Sequence, residues 1–249
     1  MEEYRIDPTI AYDVVELPSR GIFYPNNKKS LKVSYLTAAD ENILAAPNLI
    51  QTNSIVTELL KRKILDRDFP IEDMVEEDKQ TVLIFLRNTA FGSEYSVTLT
   101  DPKTEIDFKA TVDLSSLTFK SFDLVPDSNG EYPYFMEKSK IGITFKFLTQ
   151  KQENEISEIQ KSWNGAGYAP IITKQLEMMI KSVEGNKDQM NIRNFIEKLP
   201  IKDGQDFRKY VSEQRPGVDL KQTTKTPSGE DIQFYIGFGV EFFRPFYGL

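Results

Sequence analysis

Leu36-Thr37-Ala38-Ala39-Asp40-Glu41-Asn42 and Leu148-Thr149-Gln150-Lys151-Gln152-Glu153-Asn154 share the pattern LTxxxEN. Each copy follows an alternating apolar run, Leu31-Lys32-Val33-Ser34-Tyr35 in the first and Ile141-Gly142-Ile143-Thr144-Phe145-Lys146-Phe147 in the second. Such alternation marks a half-buried strand. The threonine then stands where a helix begins, with a hydroxyl able to accept from a backbone N–H of the first turn. Gln152, three residues after Thr149, completes a capping box. Asp40 takes the same place after Thr37 and brings negative charge to the positive end of the helix dipole. Two copies this far apart predict a duplicated strand-to-helix unit rather than a solenoid.

The ends of the two halves also match. A helix ending in Leu83-Ile84-Phe85-Leu86-Arg87-Asn88 precedes Tyr95-Ser96-Val97-Thr98-Leu99, a turn at Asp101-Pro102-Lys103, and a strand carrying Phe108, Ala110 and Val112. A helix closing in Phe207-Arg208-Lys209-Tyr210-Val211 precedes Val218-Asp219-Leu220, a turn at Thr226-Pro227-Ser228-Gly229, and a strand carrying Ile232, Phe234 and Ile236. The expected fold is α+β: two related halves, each with a strand, a capped helix, further helices and a β-hairpin. Turn-forming residues around Pro126-Asp127-Ser128-Asn129-Gly130 place the boundary between residues 1–122 and 123–249. Between the ends, Ser54 is positioned to cap a helix. Ile172, Leu176, Met179, Ile180 and Val183 predict a helical face running to Gly185.

Composition narrows function. The chain has 249 residues, 39% of them hydrophobic and 12% aromatic, enough for real cores. Its net charge of −7 argues against a nucleic-acid protein, which needs a basic surface to neutralise phosphate. No apolar run is long enough to span a bilayer, and Met1-Glu2-Glu3-Tyr4-Arg5 lacks the features of a signal peptide. These points predict a soluble protein made in the cytoplasm. The absence of cysteine and histidine removes disulfides, thiol nucleophiles, imidazole bases and the common zinc ligands.

Three motifs invite chemistry and fail on detail. An EF-hand loop starting at Asp66 would end on Glu77, but Ile71 stands where the turn needs glycine. Asn164-Gly165-Ala166-Gly167 lacks both the spacing and the Lys-Ser/Thr ending of a phosphate loop. Among 38 acidic residues no pair is singled out by an apolar neighbourhood, so no catalytic residue, cofactor or metal is assigned. The ends differ. Leu17, Pro18, Arg20, Gly21, Phe23 and Tyr24 lie on a proline- and glycine-limited segment, and Phe242, Phe243, Arg244 and Phe246 form an aromatic tail. Aromatic groups on irregular backbone mark either a partner-binding surface or plugs for the chain's own core. These ten residues are expected to bind a partner.

Leu17-Pro18-Ser19-Arg20-Gly21-Ile22-Phe23-Tyr24-Pro25, followed by Val33-Ser34-Tyr35-Leu36-Thr37-Ala38-Ala39-Asp40-Glu41, resembles the opening of T-even-like phage baseplate proteins. These are the hub subunits and hub-assembly factors of contractile tails. The likeness continues through Leu86-Arg87, Gly92-Ser93-Glu94-Tyr95, Leu148-Thr149 and Asn191 to Pro200, and ends at Phe242-Phe243-Arg244-Pro245. Relatives often carry paired cysteines at the turns of zinc-ribbon-like hairpins. Here Thr100, Lys103, Thr226 and Gly229 stand at those turns. The resemblance therefore implies no zinc, and hairpins held by their apolar faces alone. It implies a non-enzymatic hub assembly factor, a chaperone-like adaptor binding other baseplate hub or tail proteins in the host cytoplasm. A permanent hub subunit in the virion baseplate is the alternative. From a different class, a carboxylate-based cell-wall hydrolase would need two acids flanking a cleft.

Overall fold

The computed structural model describes residues 9–24, 26–45, 55–163, 167–238 and 240–243. It is an α+β protein, about 39% helix and 24% strand. Among the described residues the order is β1 (Tyr12–Glu16), β2 (Ser30–Ser34), α1 (Ala38–Ala45), α2 (Ile55–Lys63), α3 (Glu76–Phe91), β3 (Glu94–Thr100) and β4 (Asp107–Asp113). Then follow β5 (Tyr132–Met136), β6 (Ile141–Phe145), α4 (Gln150–Ser162), α5 (Ile171–Met179), β7 (Ile180–Val183), α6 (Gln189–Glu197), α7 (Ile201–Gln214), β8 (Lys221–Lys225) and β9 (Asp231–Tyr235). All strand pairs are antiparallel: β1-β2, β3-β4, β5-β6-β7 and β8-β9.

Both LTxxxEN copies begin helices. At Thr149 the capping box is complete: the Gln152 N–H donates to Thr149 Oγ1 at 3.4 Å, and the Thr149 N–H donates to Gln152 Oε1 at 3.0 Å. At Thr37 the shorter aspartate reaches back instead. Asp40 Oδ2 accepts from the Thr37 N–H at 2.8 Å and from its hydroxyl at 2.9 Å. Asp40 is completely buried and also pairs with Lys63 and Arg62, which ties α1 to α2. Burial pushes its carboxyl up, but Lys63 and Thr37 outweigh that and hold it below the usual range.

The duplication extends to a pair of aspartates. Asp78 and Asp203 each occupy the third position of a helix, α3 and α7, whose N-cap residue (Val75 or Pro200) makes no side-chain cap. Asp78 accepts from the N–H and hydroxyl of Ser19, in the β1–β2 connection. Asp203 accepts from the N–H and hydroxyl of Ser139, in the β5–β6 connection, and from the Lys138 N–H. In each connection the serine precedes a basic residue in the left-handed region, Arg20 at φ 52° and Lys140 at φ 58°. Counting on from the aspartates aligns the buried Val82 with Phe207, Leu86 with Val211, and Gly92 with Gly217. Arg87 then falls opposite Ser212, so Arg208 is not its counterpart.

The two aspartates are expected to titrate on opposite sides of the normal value of about 3.9. For Asp78 burial outweighs the Ser19 and Tyr24 hydrogen bonds and raises the carboxyl. For Asp203 burial also pushes upward, but the Ser139 and Lys138 donors win and lower it. Asp78 therefore contributes most below the unfolded value, and that contribution is lost as pH rises through its folded pKa. The Asp203 contribution is present above the unfolded value and is lost as pH falls through its lower folded pKa. Carboxyl-carbon NMR titration of the two residues checks this; two midpoints on the same side of the normal value would contradict it.

The chain forms two compact units, residues 1–120 with 217–249, and residues 121–216. The division expected from sequence kept 123–249 together. The second hairpin instead counts with the first unit, because the segments leading out and back pair with each other. Phe119 bridges Val218, the Lys120 N–H donates to Gly217 O at 2.8 Å, and the Asp219 N–H donates to Thr118 O at 2.9 Å. The core of this unit gathers Leu17, Leu31, Val33, Leu59, Met74, Val82 and Leu86 with Val218, Ile236, Phe242 and Phe243. In the other unit Phe145 stacks edge-on against Phe207 and Phe147. The helix expected from Ile172 to Gly185 stops at Met179, and Ile180–Val183 becomes a strand. Ile180 and Val183 are β-branched, and pairing with Phe145 and Ile143 of β6 satisfies backbone groups that a further helical turn would have used. Ser54, the expected cap of α2, lies outside the described residues.

Candidate functional site

Helix α3 gathers the signature residues at its two ends. At its N-terminus the Leu17–Tyr24 loop wraps onto Asp78. Asp78 Oδ2 accepts from the Ser19 hydroxyl at 2.6 Å and from the Tyr24 hydroxyl at 2.7 Å, and Oδ1 accepts from the Ser19 N–H at 3.1 Å. The Tyr24 oxygen in turn accepts from the Val75 N–H at 3.2 Å. That donor belongs to the first turn of backbone, where no intrahelical acceptor exists. Burial beside Asp78 drives the Tyr24 hydroxyl far above its ordinary value, so it stays a donor at any physiological pH. Gly21 sits at φ 82°, and a Cβ there would collide with the backbone of Asn27 and Lys28. Glycine is therefore required for the loop to close on itself.

At the other end of α3, Arg87 is buried to 2% exposure. Its guanidinium donates to Gly92 O at 2.5 Å and Glu94 O at 2.9 Å. It also lies 5.1 Å from the Tyr95 ring centre and 5.6 Å from that of Phe242. Tyr95 and Phe242 meet edge to face at 5.1 Å, and Phe242 packs on Phe238 and Phe243. Burial lowers the affinity of Arg87 for its proton, yet a guanidinium stays charged, and the carbonyls and ring faces supply the negative surroundings it needs.

Most residues expected to meet a partner are thus placed inside the protein. Leu17, Pro18, Gly21, Tyr24, Phe242 and Phe243 are buried, Leu17 at 2% and Phe242 at 0% exposure. They are core plugs because the loop is pulled inward by Asp78 and the tail by the rings around Arg87. Phe23 is half-buried against the core, while Arg20 and Ile22 are exposed on the loop. Arg244 and Phe246 lie outside the described residues. The sequence reading missed Asp78 and Arg87 as anchors. A usable signal existed for Asp78, an acid in the first turn of a helix that has no capping side chain before it.

The hairpin turns are joined by more than apolar faces, contrary to expectation. Asp101, completely buried, accepts from the Lys103 N–H at 2.9 Å within its own turn. It also accepts from the N–H and hydroxyl of Ser228 in the other hairpin, each at 3.1 Å. Burial pushes its carboxyl up, but these donors prevail and hold it below the usual range. The link is therefore intact above the unfolded value of about 3.9 and is lost as pH falls through the folded one. Asp101→Ala is expected to leave the two hairpins formed while exposing the Ser228 amide to exchange with solvent. Unchanged protection of that amide would contradict the role.

The acidic stretch from Asp66 to Asp78 is occupied by protein donors as well. Asp66 pairs with Lys28 and accepts from the Lys32 N–H, and Glu72 pairs with Lys61. Among the described residues no cluster of three acidic side chains is arranged to hold a metal ion, and no helix is long and apolar enough to cross a membrane.

No curated protein and no solved structure matches the chain. The family model described as T4 bacteriophage base plate protein matches residues 19–243, a span that starts at the serine held by Asp78 and ends in the aromatic cluster around Arg87. The chain belongs to the T4 bacteriophage base plate protein family.

Proposed function

We propose that the protein is a non-enzymatic assembly factor for the baseplate hub, an adaptor that binds hub proteins in the host cytoplasm during tail assembly. The observation carrying this reading is the Leu17–Tyr24 loop. Asp78 fixes its base, while Arg20 and Ile22 remain exposed and Phe23 half-exposed at its surface. A loop ordered before contact loses little conformational entropy on binding, which favours recognition. The absence of catalysis is supported by the use of the buried acids. Asp40, Asp78, Asp101 and Asp203 are each engaged by the chain's own donors.

Quantitative mass spectrometry of purified particles beside infected-cell lysate tests the reading. An assembly factor is expected to be abundant in lysate and depleted from finished particles. Stoichiometric retention would favour the permanent hub subunit instead. A companion variant, Ile22→Asp, should leave stability within about 0.5 kcal/mol, as exposed substitutions do, while abolishing hub assembly.

A further inference from the structure

The second LTxxxEN copy lines a cavity of about 160 Å³ in the 121–216 unit, between α4, α5 and α7. Leu148, Met179 and Val211 form an apolar floor, all three buried. Arg208 and Arg215 supply two guanidinium groups, and Glu153, the acid of the repeat, supplies one carboxylate. Arg215 pairs with Glu153 at 2.7 Å, its side chain only 15% exposed. Arg208 uses its Nε to donate to Gly204 O at 3.2 Å and has no carboxylate partner among the described residues. In the first LTxxxEN copy the corresponding acid, Glu41, is exposed.

We propose that this pocket receives the acidic side chain of a partner protein, a glutamate in particular. Arg208, with no carboxylate partner among the described residues, leaves a positive charge in a concave site on a protein of net charge −7. A planar guanidinium offers paired donors that match the two oxygens of a carboxylate. The apolar floor takes the methylene stem, and the volume holds one side chain rather than a peptide segment. The apolar floor favours a carboxylate carried on a methylene stem over inorganic phosphate, which has no apolar part to bury. The site lies in a different unit from the Leu17–Tyr24 loop, and the inference does not depend on whether the protein leaves the particle.

The test uses the full chain and three probes: N-acetyl-glutamate N-methylamide, its glutamine analogue, and inorganic phosphate. Binding is read from the Arg208 and Arg215 Nε–H resonances and the Val211 methyls. The glutamate probe should shift these groups with a Kd of about 1–10 mM, as befits so small a ligand. The glutamine analogue should bind about tenfold more weakly, having lost the charge-assisted pair. Arg208→Gln should weaken the glutamate probe to a similar degree with the fold intact. Glu153→Gln should tighten it by removing the competing carboxylate. Equal binding of the glutamine analogue, tighter binding of phosphate, or weaker binding in Glu153→Gln with an unchanged spectrum elsewhere would each overturn the proposal.

Discussion

Asp78→Ala is expected to destabilise the isolated protein by about 3–5 kcal/mol, because three buried neutral donors lose their acceptor at about 1 kcal/mol or more each. The carboxylate is completely buried and accepts three hydrogen bonds, from the Ser19 N–H, the Ser19 hydroxyl and the Tyr24 hydroxyl. Alanine leaves all three donors without an acceptor and opens space beneath the loop. Asp78→Asn should cost less than alanine. Its amide keeps one acceptor oxygen for the donors of Ser19 and Tyr24 and fills the same space. Ser19→Ala should be the mildest of the three, because it removes a single donor. Urea denaturation of the three variants gives the order. A loss below about 1 kcal/mol for alanine would show that the loop is not held by this carboxylate.

Phe242→Ala is expected to cost a similar 3–5 kcal/mol, as for other large aromatic groups removed from a core. The ring is fully buried between Tyr95, Phe238 and Phe243, and it forms one of the two faces against the Arg87 guanidinium. Its removal takes away both packing and part of the charge compensation of a buried cation. Phe243, buried at 4%, should follow with a comparable loss. Had these rings been an interface, the isolated variants would melt close to the wild type and fail only in assembly. Thermal denaturation of the isolated chain separates the two outcomes.

The capped helices were readable in the sequence because their determinants are local. Thr37 with Asp40 and Thr149 with Gln152 lie within one helical turn of each other. The matched hairpins were readable for the same reason, through alternation and turn residues. What lay beyond reach were pairings across long stretches of chain. Asp78 meets Ser19 across 59 positions, and Asp101 meets Ser228 across 127. The strand Ile180–Val183 was lost to its helical periodicity, since only the presence of β6 makes the extended form better. The aromatic ends stood out in the sequence. Their direction was not readable, because inward and outward rings look alike until Asp78 and Arg87 are seen beneath them. The spacing of Asp78 from Gly92 and of Asp203 from Gly217 is the same, and it could have marked the second layer of the duplication from sequence alone.

The Leu17–Tyr24 loop is part of the folded core at the N-terminus of α3 rather than a loose segment awaiting a partner. Native-state hydrogen exchange of the isolated chain measures this directly through the Ser19 amide, which donates to Asp78, and the Val75 amide, which donates to Tyr24. Both amides should be protected to nearly the same free energy as the buried amides of Val82 and Leu86 in the middle of α3, opening only with the whole unit. Exchange of the Ser19 and Val75 amides at the rate of an exposed turn, while Val82 and Leu86 stay protected, would contradict it.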